Sequence, residues 1–467
     1  MQIKMAAEIN NVLLKMIDFL FGPIMLAVYF GVGALYTIRL RGVQFSRFGV
    51  AFRECVLNIS SNNNKGIGQL QSFKALATAL SACVGNGNIA GVAGAIAVGG
   101  PGAIFWMWVA ALLGMATKFA EICLAVHFRV KDAAGNFRGG VMYILRDGLS
   151  NKKVGKILGG AFAFFTVFVS LVSCGALQVN TMTSAVLSIM PVPAWLVGGV
   201  ILALEALVVF KGLGKIADVC TVLAPLMAFV YMGFGSIILV MHFNQIPTAL
   251  LYIVQSAFTG DAVIGGVAGA TMAFAIKKGV SRGVFSNEAG IGSSAIVHAT
   301  AKVDQPIQES LYGILEVFCD TIIICTFTAL IIITSGVWNS GITDGTVLAT
   351  NAFNQNLGVF GHGILVFSLL LFCFTNVIGW YTYGESAFTF LFGAHSVMTF
   401  RVIHCGISFL GCLASVDVMW NAADVCNGLM ALPNLFSLLI FSSVVVKDTK
   451  SFFADYDAKR AVVKAAQ

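Results

Sequence analysis

The chain has 467 residues, of which 58% are hydrophobic and only 10% are charged. A soluble globular domain carries about 25% charged residues, so the composition excludes one and predicts a polytopic membrane protein. The net charge of +7 is concentrated in alternate loops, which indicates membrane topology and not a nucleic-acid-binding surface. The 11 cysteines form no CxxC pair, and none falls in a loop predicted to lie outside, so neither a metal site nor a disulfide framework is expected.

Apolar runs of roughly 17–30 residues, each long enough to cross a bilayer, occur about eleven times along the chain. The first run, from Val12 to Tyr36, is too long for the apolar core of a signal peptide and is interpreted as a transmembrane helix. The predicted spans, numbered 1 to 11 here, are centred near Ala27, Asn88, Leu112, Thr166, Ala203, Ala228, Asn287, Ile323, Phe374, Phe409 and Pro433.

Lysine and arginine mark one side of the predicted membrane protein. The loops after spans 1, 3, 5, 7 and 9 and the C-terminal tail contain them, whereas the alternate loops contain neither. Because cytoplasmic loops carry the excess of positive charge, we expect the N-terminus outside and the C-terminus in the cytoplasm. Three exceptions fall in the outer part of span 7 and are predicted to line a water-filled vestibule: Lys277, Lys278 and Arg282.

Two glycine-rich stretches, NIAGVAGAI from Asn88 in span 2 and NEAGIGSSAI from Asn287 in span 7, share the pattern N-x-A-G. The predicted topology runs these two spans in opposite directions. Spans 2–6 and 7–11 are therefore predicted to form two inverted five-helix units. The predicted organisation is an extra helix with a basic loop, a first unit, an external loop with a second unit, and a cytoplasmic tail, at residues 1–72, 73–242, 243–446 and 447–467.

The glycines and embedded asparagines of spans 2 and 7 predict that both helices are broken. Glycine tolerates unwound backbone, and backbone groups inside a bilayer stay unpaired only where they line a cavity. An unwound turn offers N–H groups to an anionic carboxylate and carbonyl groups to a cation. The alternative interpretation is that the glycines only allow helices to pack closely.

Five segments resemble the sodium:alanine symporter family, also called alanine or glycine:cation symporters. They run in order through most of the chain: GNGNIAGVAGAIAVGGPGAIFWMWVAALLGMATKFAE, SRGVFSNEAGIGSSAIVHATAK, DTIIICTFTALII, GWYTYGE and ADVCNGLMALPNL. The resemblance implies an all-α, LeuT-like fold of five-plus-five inverted helices with one extra N-terminal helix. It implies import of a small neutral amino acid with sodium by a multi-pass protein of the plasma membrane, the bacterial inner membrane being favoured. No cofactor besides the transported sodium ion is implied, and the oligomeric state is not indicated.

The same resemblance implies where the substrate binds. The predicted breaks, Gly85–Gly91 and Phe285–Gly290, are expected to meet the amino acid through backbone groups. Gln178, in GALQVN, is expected to hold its amino or carboxylate group, and Trp380 is expected to limit the size of the pocket. The candidate substrate-binding residues are Gly85, Asn86, Gly87, Gln178, Phe285, Ser286, Asn287, Asn376 and Trp380.

Sodium is a hard cation, so we expect all-oxygen ligation. By resemblance, Asn88 is a candidate ligand through its side-chain oxygen. The Thr375 hydroxyl is a candidate for a second sodium site, together with the carbonyl groups of Ala82 or Gly85.

Two residues depart from the family pattern. Asn86 stands where the family usually has Thr or Ser, and Asn376 stands where Thr is usual. Amides in place of hydroxyls polarise the predicted pocket, so the expected substrates include serine, asparagine and glutamine beside alanine and glycine.

Several ionisable residues fall inside predicted spans, where they are functional candidates by default. Lys118 and Glu121 are predicted to pair with each other and lock helix packing. Glu288 is predicted either to bind a cation or to cap the broken helix, and Asp320 and Glu385 to pair with loop arginines at a gate. Interface anchoring, and not a proton relay, is favoured for His127, His298 and His404.

The chain contains no Walker A or HExxH motif and no predicted soluble domain that holds a nucleotide, so neither an enzyme nor an ATP-driven pump is expected. A proton-coupled amino-acid carrier remains the alternative to a sodium-coupled one. A channel-like membrane protein is less favoured, because one inverted repeat with a midplane site does not suggest a selectivity filter.

Overall fold

The structure is a computed structural model that describes residues 2–57, 66–132, 135–259, 272–413 and 416–465. Most of these residues are helical, as predicted for an all-α membrane protein. The strands among them are β1 (Val130–Lys131) and β2 (Phe137–Arg138), a short antiparallel pair in the loop after span 3. Part of the predicted external loop, residues 260–271, lies outside the described residues.

The first predicted span consists of two helices, α1 (Gln2–Leu20) and α2 (Pro23–Arg39). They meet at a bend of 42°. Proline at the first position of α2 starts a new helix because its nitrogen cannot donate to the preceding turn. The chain then forms two short helices, α3 (Val43–Ser46) and α4 (Phe48–Phe52), and a wide π-helical turn (Arg53–Leu57).

Span 2 is broken, as predicted, but the break is shorter than expected. Helix α5 (Ser72–Cys83) ends at a non-helical segment, residues 84–85, and Asn86 and a π-helical turn (Gly87–Gly91) lead into α6 (Val92–Gly99). The two halves are bent by 53°. The expectation that all of Gly85–Gly91 is unwound is therefore wrong, since residues 86–91 are helical.

The rest of the first half of the chain is a series of helices. They are α7 (Gly102–His127), α8 (Val141–Gly148), α9 (Lys152–Leu171), a π-helical turn (Val172–Ala176), α10 (Leu177–Leu187), α11 (Ala194–Val209) and α12 (Leu213–Met241).

The second half begins with a 3₁₀ turn (Phe243–Gln245) and a helix that the sequence did not predict, α13 (Ile246–Thr259), within the expected external loop. The following elements are α14 (Met272–Asn287), α15 (Ala295–His298), α16 (Pro306–Val317), a π-helical segment (Phe318–Cys325), α17 (Thr326–Thr334) and a 3₁₀ turn (Val337–Asn339). The last elements are α18 (Gly345–Phe392), a 3₁₀ turn (Ala394–Ser396), α19 (Val397–Gly411), α20 (Val416–Ile440) and α21 (Ser442–Ala465).

Span 7 is also broken, three residues later than expected. Helix α14 continues through Asn287, so the prediction that the unwound turn starts at Phe285 is wrong. The break runs from residue 288 to 294, and its backbone enters the left-handed region at Glu288, Gly290 and Gly292, with φ of 56°, 93° and 84°. Because a non-glycine residue rarely adopts this conformation, Glu288 is held there by its surroundings.

Among the described residues, six helical segments are long and apolar enough to cross a membrane, or up to eight if each bent pair counts as one span. Every predicted span centre falls in a helical segment, and spans 5, 7 and 10 correspond to the shorter helices α11, α14 and α19. The long helix α18 is kinked at Gly358, where φ is 60°. The inverted arrangement of eleven spans stays a prediction.

Helix α7 lies at the centre of the packed helices and contacts α2, α13, α14 and α16. Close approach depends on glycine: a Cβ at Gly279 of α14 would lie 2.2 Å from the Ala103 carbonyl oxygen of α7. Small residues at helix contacts are the usual means of tight packing in lipid. This packing holds α14, the first half of span 7, firmly against span 3.

Candidate functional site

A cavity of about 500 Å³, here called the vestibule, lies between α6, α10, α14 and α18. Lys278 and Arg282 line it, as predicted, whereas Lys277 forms an ion pair with Asp18 instead. Thr181 of α10 is among the lining residues and accepts a hydrogen bond from Asn86, next to the break in span 2. The vestibule therefore extends to the side chains that surround the break in span 2.

Asn86, the residue directly after the break in span 2, forms two hydrogen bonds with α10. Its Nδ2 donates to Thr181 Oγ1 at 3.2 Å, and its Oδ1 accepts from Gln178 Nε2 at 3.0 Å. Asn86 is fully buried and Gln178 nearly so. The structure thus brings together two predicted substrate-binding residues, and it adds Thr181, which the sequence analysis missed.

Asn376 of α18 contacts the same break. Its Nδ2 donates to the Ala82 carbonyl group, and a Cβ at Gly85 would lie 2.9 Å from that nitrogen, so a glycine there lets α18 approach. The oxygens Gln178 Oε1 and Asn376 Oδ1 are both buried and accept no hydrogen bond within the described part of the chain. Two buried acceptors therefore remain available on side chains that contact residues 85 and 86.

Thr375 was predicted to share a second sodium site with the carbonyl groups of Ala82 or Gly85. Its hydroxyl donates to the Leu371 carbonyl at 2.9 Å within its own helix and contacts Met227 Sδ at 3.3 Å. The structure therefore offers no contact that supports a sodium ligand at Thr375.

The break in span 7 is fixed to α18 through Glu288. Trp380 Nε1 donates to Glu288 Oε1 at 2.7 Å, and the second carboxylate oxygen accepts from the Ser293 hydroxyl. Trp380 is 2% exposed. Glu288 thus fastens the break in span 7 to the aromatic residue that was predicted to limit the pocket.

Phe285 and Asn287 are helical, and each contacts a different neighbour. A Cβ at Gly87 would lie 3.1 Å from the Phe285 ring, so the two halves of the predicted pocket meet there. Asn287 Nδ2 donates to Thr321 Oγ1 at 3.0 Å, and its Oδ1 accepts from the Ala289 N–H at 3.0 Å. The second bond satisfies a backbone donor just past the end of α14.

A buried carboxylate lies where the two broken spans meet. Asp320 accepts hydrogen bonds from Asn88 Nδ2 at 2.7 Å, Ser286 Oγ at 2.7 Å and Thr321 Oγ1 at 2.8 Å. All four residues are at most 1% exposed. We name them the Asp320 cluster. The prediction that Asp320 meets a loop arginine at a gate is therefore wrong, whereas Glu385 does approach Arg401, at 3.7 Å.

The predicted pairing of Lys118 with Glu121 is wrong. Lys118 Nζ lies 3.2 Å from Glu316 Oε1 and donates to Ser294 Oγ at 2.8 Å. Glu121 instead accepts from the Gly290 N–H at 2.8 Å and from the Asn434 amide. Lys118 and Glu121 lie one helical turn apart on α7, but each contacts the break in span 7 separately.

Two of the boundary histidines are buried in carboxylate pairs, so interface anchoring is wrong for them. His298 contacts Glu309 Oε1 at 2.6 Å and Glu316 Oε2 at 3.1 Å, and His404 contacts Glu205 Oε1 at 2.7 Å. These side chains are fully buried. A buried histidine–carboxylate pair is a specific contact between two helices, which the sequence pattern alone does not reveal.

The site offers amides, hydroxyls, the carboxylates of Asp320 and Glu288 and freed backbone, which suit reversible binding of a polar solute and a hard cation. Within the described ranges, no group of three or more His, Cys, Asp or Glu side chains is placed to hold a metal ion through those residues alone. The chemistry of the site is that of binding.

Comparison with known proteins finds membrane transporters among the relatives of this chain. The chain is similar to the sodium/alanine symporter AgcS of Methanococcus maripaludis, at 40% identity over 93% of this chain and 95% of that protein. An uncharacterized transporter of Haemophilus influenzae is 38% identical over 95% of this chain and 96% of its own length. The probable sodium/glutamine symporter GlnT of Bacillus subtilis is 33% identical over 93% of this chain and 89% of its own length.

A sequence model of the sodium:alanine symporter family matches residues 6–466, nearly the whole chain. The matched family and these relatives are membrane transporters and not enzymes. Its apolar helices make the chain a multi-pass integral membrane protein. The chain belongs to the sodium:alanine symporter family.

Proposed function

We propose that the chain is a sodium-coupled symporter that imports a small neutral amino acid across the plasma membrane. Alanine and glycine are the first candidates, followed by serine, asparagine and glutamine. The observation that carries the proposal is the pair of buried acceptors, Gln178 Oε1 and Asn376 Oδ1, beside the break at residues 84–85.

An amino acid has the complementary groups. Its ammonium group needs acceptors, and two buried amide oxygens beside the break supply them. Its carboxylate needs donors, which the freed N–H groups of a broken helix provide. Trp380, fixed by Glu288, then closes the pocket at the side-chain end and favours a small side chain.

Sodium is assigned to the region of the Asp320 cluster. Its carboxylate and hydroxyl oxygens are hard ligands, and the negative charge of Asp320 offsets a cation inside the membrane. Asn88 Nδ2 donates to Asp320 Oδ1 at 2.7 Å, and the Asn88 side-chain oxygen accepts from the Gly85 N–H at 3.0 Å. Asn88 stays a proposed ligand, whose oxygen exchanges the Gly85 bond for sodium when the ion binds. The carbonyl groups of Ala82 and Gly85 are the proposed backbone ligands, and Thr375 stays a candidate without a supporting contact.

Coupling follows from the position of the cluster. Asn88 belongs to broken span 2 and Ser286 to broken span 7, so an ion bound between them holds both helices in one arrangement. The amino acid then binds, the unit containing spans 2 and 7 rocks against the rest, and both solutes leave into the cytoplasm. Each positive charge moved inward gains about 2.3 kcal/mol per 100 mV of membrane potential.

A proton-coupled carrier is the second candidate, because Asp320 and Glu288 are buried carboxylates that can hold a proton in place of a cation. The two candidates differ in the ion that stabilises the substrate complex. A channel differs from both, because only a carrier shows saturable counterflow.

The test is the thermal stability of the purified protein, measured with each neutral amino acid in sodium chloride and in choline chloride. We expect a substrate to raise the unfolding temperature only when sodium is present, because a ligand that binds the folded state stabilises it. Stabilisation that is equal in choline at every pH would contradict sodium coupling but would leave amino-acid binding intact.

Asp320→Asn keeps the shape of the cluster but removes its charge. We expect the sodium concentration for half-maximal stabilisation to rise on the order of a hundredfold or more, the scale of a lost buried charge partner. Asp218→Asn is the control, because Asp218 is half exposed in a surface pair with Lys74. An unchanged sodium requirement in Asp320→Asn removes the cluster from the sodium site.

A further inference from the structure

A second cavity, of about 700 Å³, lies where α2 and α20 end, on the face that carries α21. The end of α2, the turn into α3 and the start of α21 line it. Four of its side chains are cationic and one is acidic: Arg39, Arg41, Arg47, Lys450 and Asp457. We name it the basic cavity.

Most of this positive charge is not neutralised by the protein. Arg47 is paired with Asp457 through two hydrogen bonds of 2.7 and 2.8 Å. Arg39 donates to the neutral Ser442 hydroxyl at 2.5 Å. Arg41 and Lys450 have no ion-pair partner in the described part of the chain, and both are exposed. The basic cavity thus presents three uncompensated cations to one space.

The turn that carries Arg41 is unusual. Arg41 has φ of 55°, in the left-handed region, and the next residue, Gly42, has φ of 62°. The turn is held by hydrogen bonds from the Arg41 N–H to the Ile38 carbonyl at 3.1 Å and from the Gly42 N–H to the Thr37 carbonyl at 2.7 Å. A fixed turn places the Arg41 side chain at the cavity without loss of backbone freedom on binding.

Apolar side chains flank the cations. Ile38, at the end of α2, is 76% exposed, and Phe45, in α3, is 61% exposed. The hydroxyl groups of Ser46 and Thr449 line the cavity itself. Cations and hydroxyls beside exposed apolar groups, at the end of a membrane helix, match the boundary between headgroups and acyl chains.

We propose that the basic cavity binds the phosphodiester headgroup of an anionic phospholipid. Basic pockets between helices at the membrane boundary recognise such headgroups through Lys and Arg. Arg41 and Lys450 supply the unpaired charge, and Ile38 and Phe45 contact the acyl chains. A soluble phosphate ester matches the charge but gains nothing from the apolar flank.

The experiment measures two quantities for the full-length protein in neutral detergent: lipid retention by native mass spectrometry, and the unfolding temperature. Both are compared between three probes. The probes are phosphatidylglycerol, phosphatidylcholine and inorganic phosphate. We expect phosphatidylglycerol to be retained and to raise the unfolding temperature, whereas the other two probes do neither. An equal effect of inorganic phosphate would overturn the lipid assignment.

The variant is Arg41→Gln with Lys450→Gln, both at exposed positions. At low salt we expect retention to fall roughly thirty-fold, since each cation near an anionic membrane surface contributes about a fivefold factor. The control is Lys153→Gln with Lys156→Gln, which removes the same charge from an exposed part of α9 and should retain the lipid. Equal loss in both variants shows nonspecific attraction and overturns the proposal, as does unchanged retention in the first.

Arg41→Lys with Lys450→Arg keeps both charges and should keep most of the retention. This charge-keeping variant also controls for misfolding of the neutral variant. We expect the charge-keeping variant to retain the wild-type preference for phosphatidylglycerol over phosphatidylcholine. Absence of that preference in the wild-type protein itself overturns the proposal.

Discussion

Asn86 shows how one residue connects the sequence to the proposed selectivity. The sequence marks it only as an amide where the family usually has a hydroxyl. The structure explains the amide, because Asn86 both donates to Thr181 and accepts from Gln178, which one hydroxyl in a fixed orientation does less well. Asn86 therefore sets the orientation of Gln178, whose second polar atom, the oxygen, remains available to a substrate.

Asn86→Thr should change which amino acids compete best. Because the Thr side chain is shorter and has one polar atom where Asn has two, it holds Thr181 and Gln178 less well. We therefore expect affinity for serine, asparagine and glutamine to fall about tenfold relative to alanine, the scale of one or two net hydrogen bonds. The measurement is competition of each unlabelled amino acid against labelled alanine uptake. Asn356→Thr is the control, since Asn356 contacts His242 away from the break. An unchanged ranking in Asn86→Thr would exclude Asn86 from selectivity.

Asp320 illustrates what residue types alone do not reveal. The sequence places an acid in an apolar run, which indicates function, but it does not identify the partner. The partner, Asn88, is 232 positions away and meets Asp320 only because broken span 2 packs against span 8, which carries Asp320. The π-helical segment that carries Asp320 has no clear sequence signal, so the direction of this side chain was not predictable.

At the scale of helices, glycine content located both breaks but not their limits. In span 7 the helix continues until Asn287, whose side chain accepts from the Ala289 N–H. Glu121, from another helix, then accepts from the Gly290 N–H. The start of the break thus depends on partners that satisfy freed donors, and one of these partners lies 169 positions away.

Lys118 is the cationic member of a buried cluster that fastens the break in span 7 to span 8. Lys118→Met leaves Glu316 buried without its lysine, and losing one partner of a buried pair costs about 3–5 kcal/mol. We expect a clearly lower unfolding temperature, with partial recovery when Glu316→Gln is added. The matched control is Lys74→Met, which breaks the partly exposed pair with Asp218 and should cost at most about 1 kcal/mol. Equal losses of stability in Lys118→Met and Lys74→Met would contradict a stabilising buried pair between Lys118 and Glu316.

The contact between span 9 and the break in span 2 depends on the absence of a side chain at Gly379. A Cβ there would lie 2.8 Å from the Ala82 backbone nitrogen, one turn from the Asn376 contact. We expect Gly379→Ala to destabilise the protein by about 1–3 kcal/mol and to abolish uptake, because backbone must move. Gly363→Ala on the same helix meets no atom within 4 Å and should be neutral or slightly stabilising. The measurements are thermal unfolding and uptake of both variants. Full activity of Gly379→Ala would contradict the requirement for glycine at this contact.

At the scale of the whole molecule, hydropathy located helices well, because every predicted span centre falls in a helical segment. It did not predict α13 or α21, which are helices outside the predicted spans. The helix α21 carries charges along its length, and Arg47 and Glu54 fix it through contacts with Asp457 and Tyr456. Such helices depend on tertiary partners, so their sequences resemble loops.

The most direct test of the account is uptake of labelled alanine by proteoliposomes in which sodium, proton and electrical gradients are set separately. We expect accumulation above the external concentration only with an inward sodium gradient, accelerated by an interior-negative potential and unaffected by a proton gradient alone. Accumulation driven by a proton gradient without sodium, or uptake that never exceeds equilibrium under any gradient, would contradict sodium-coupled symport.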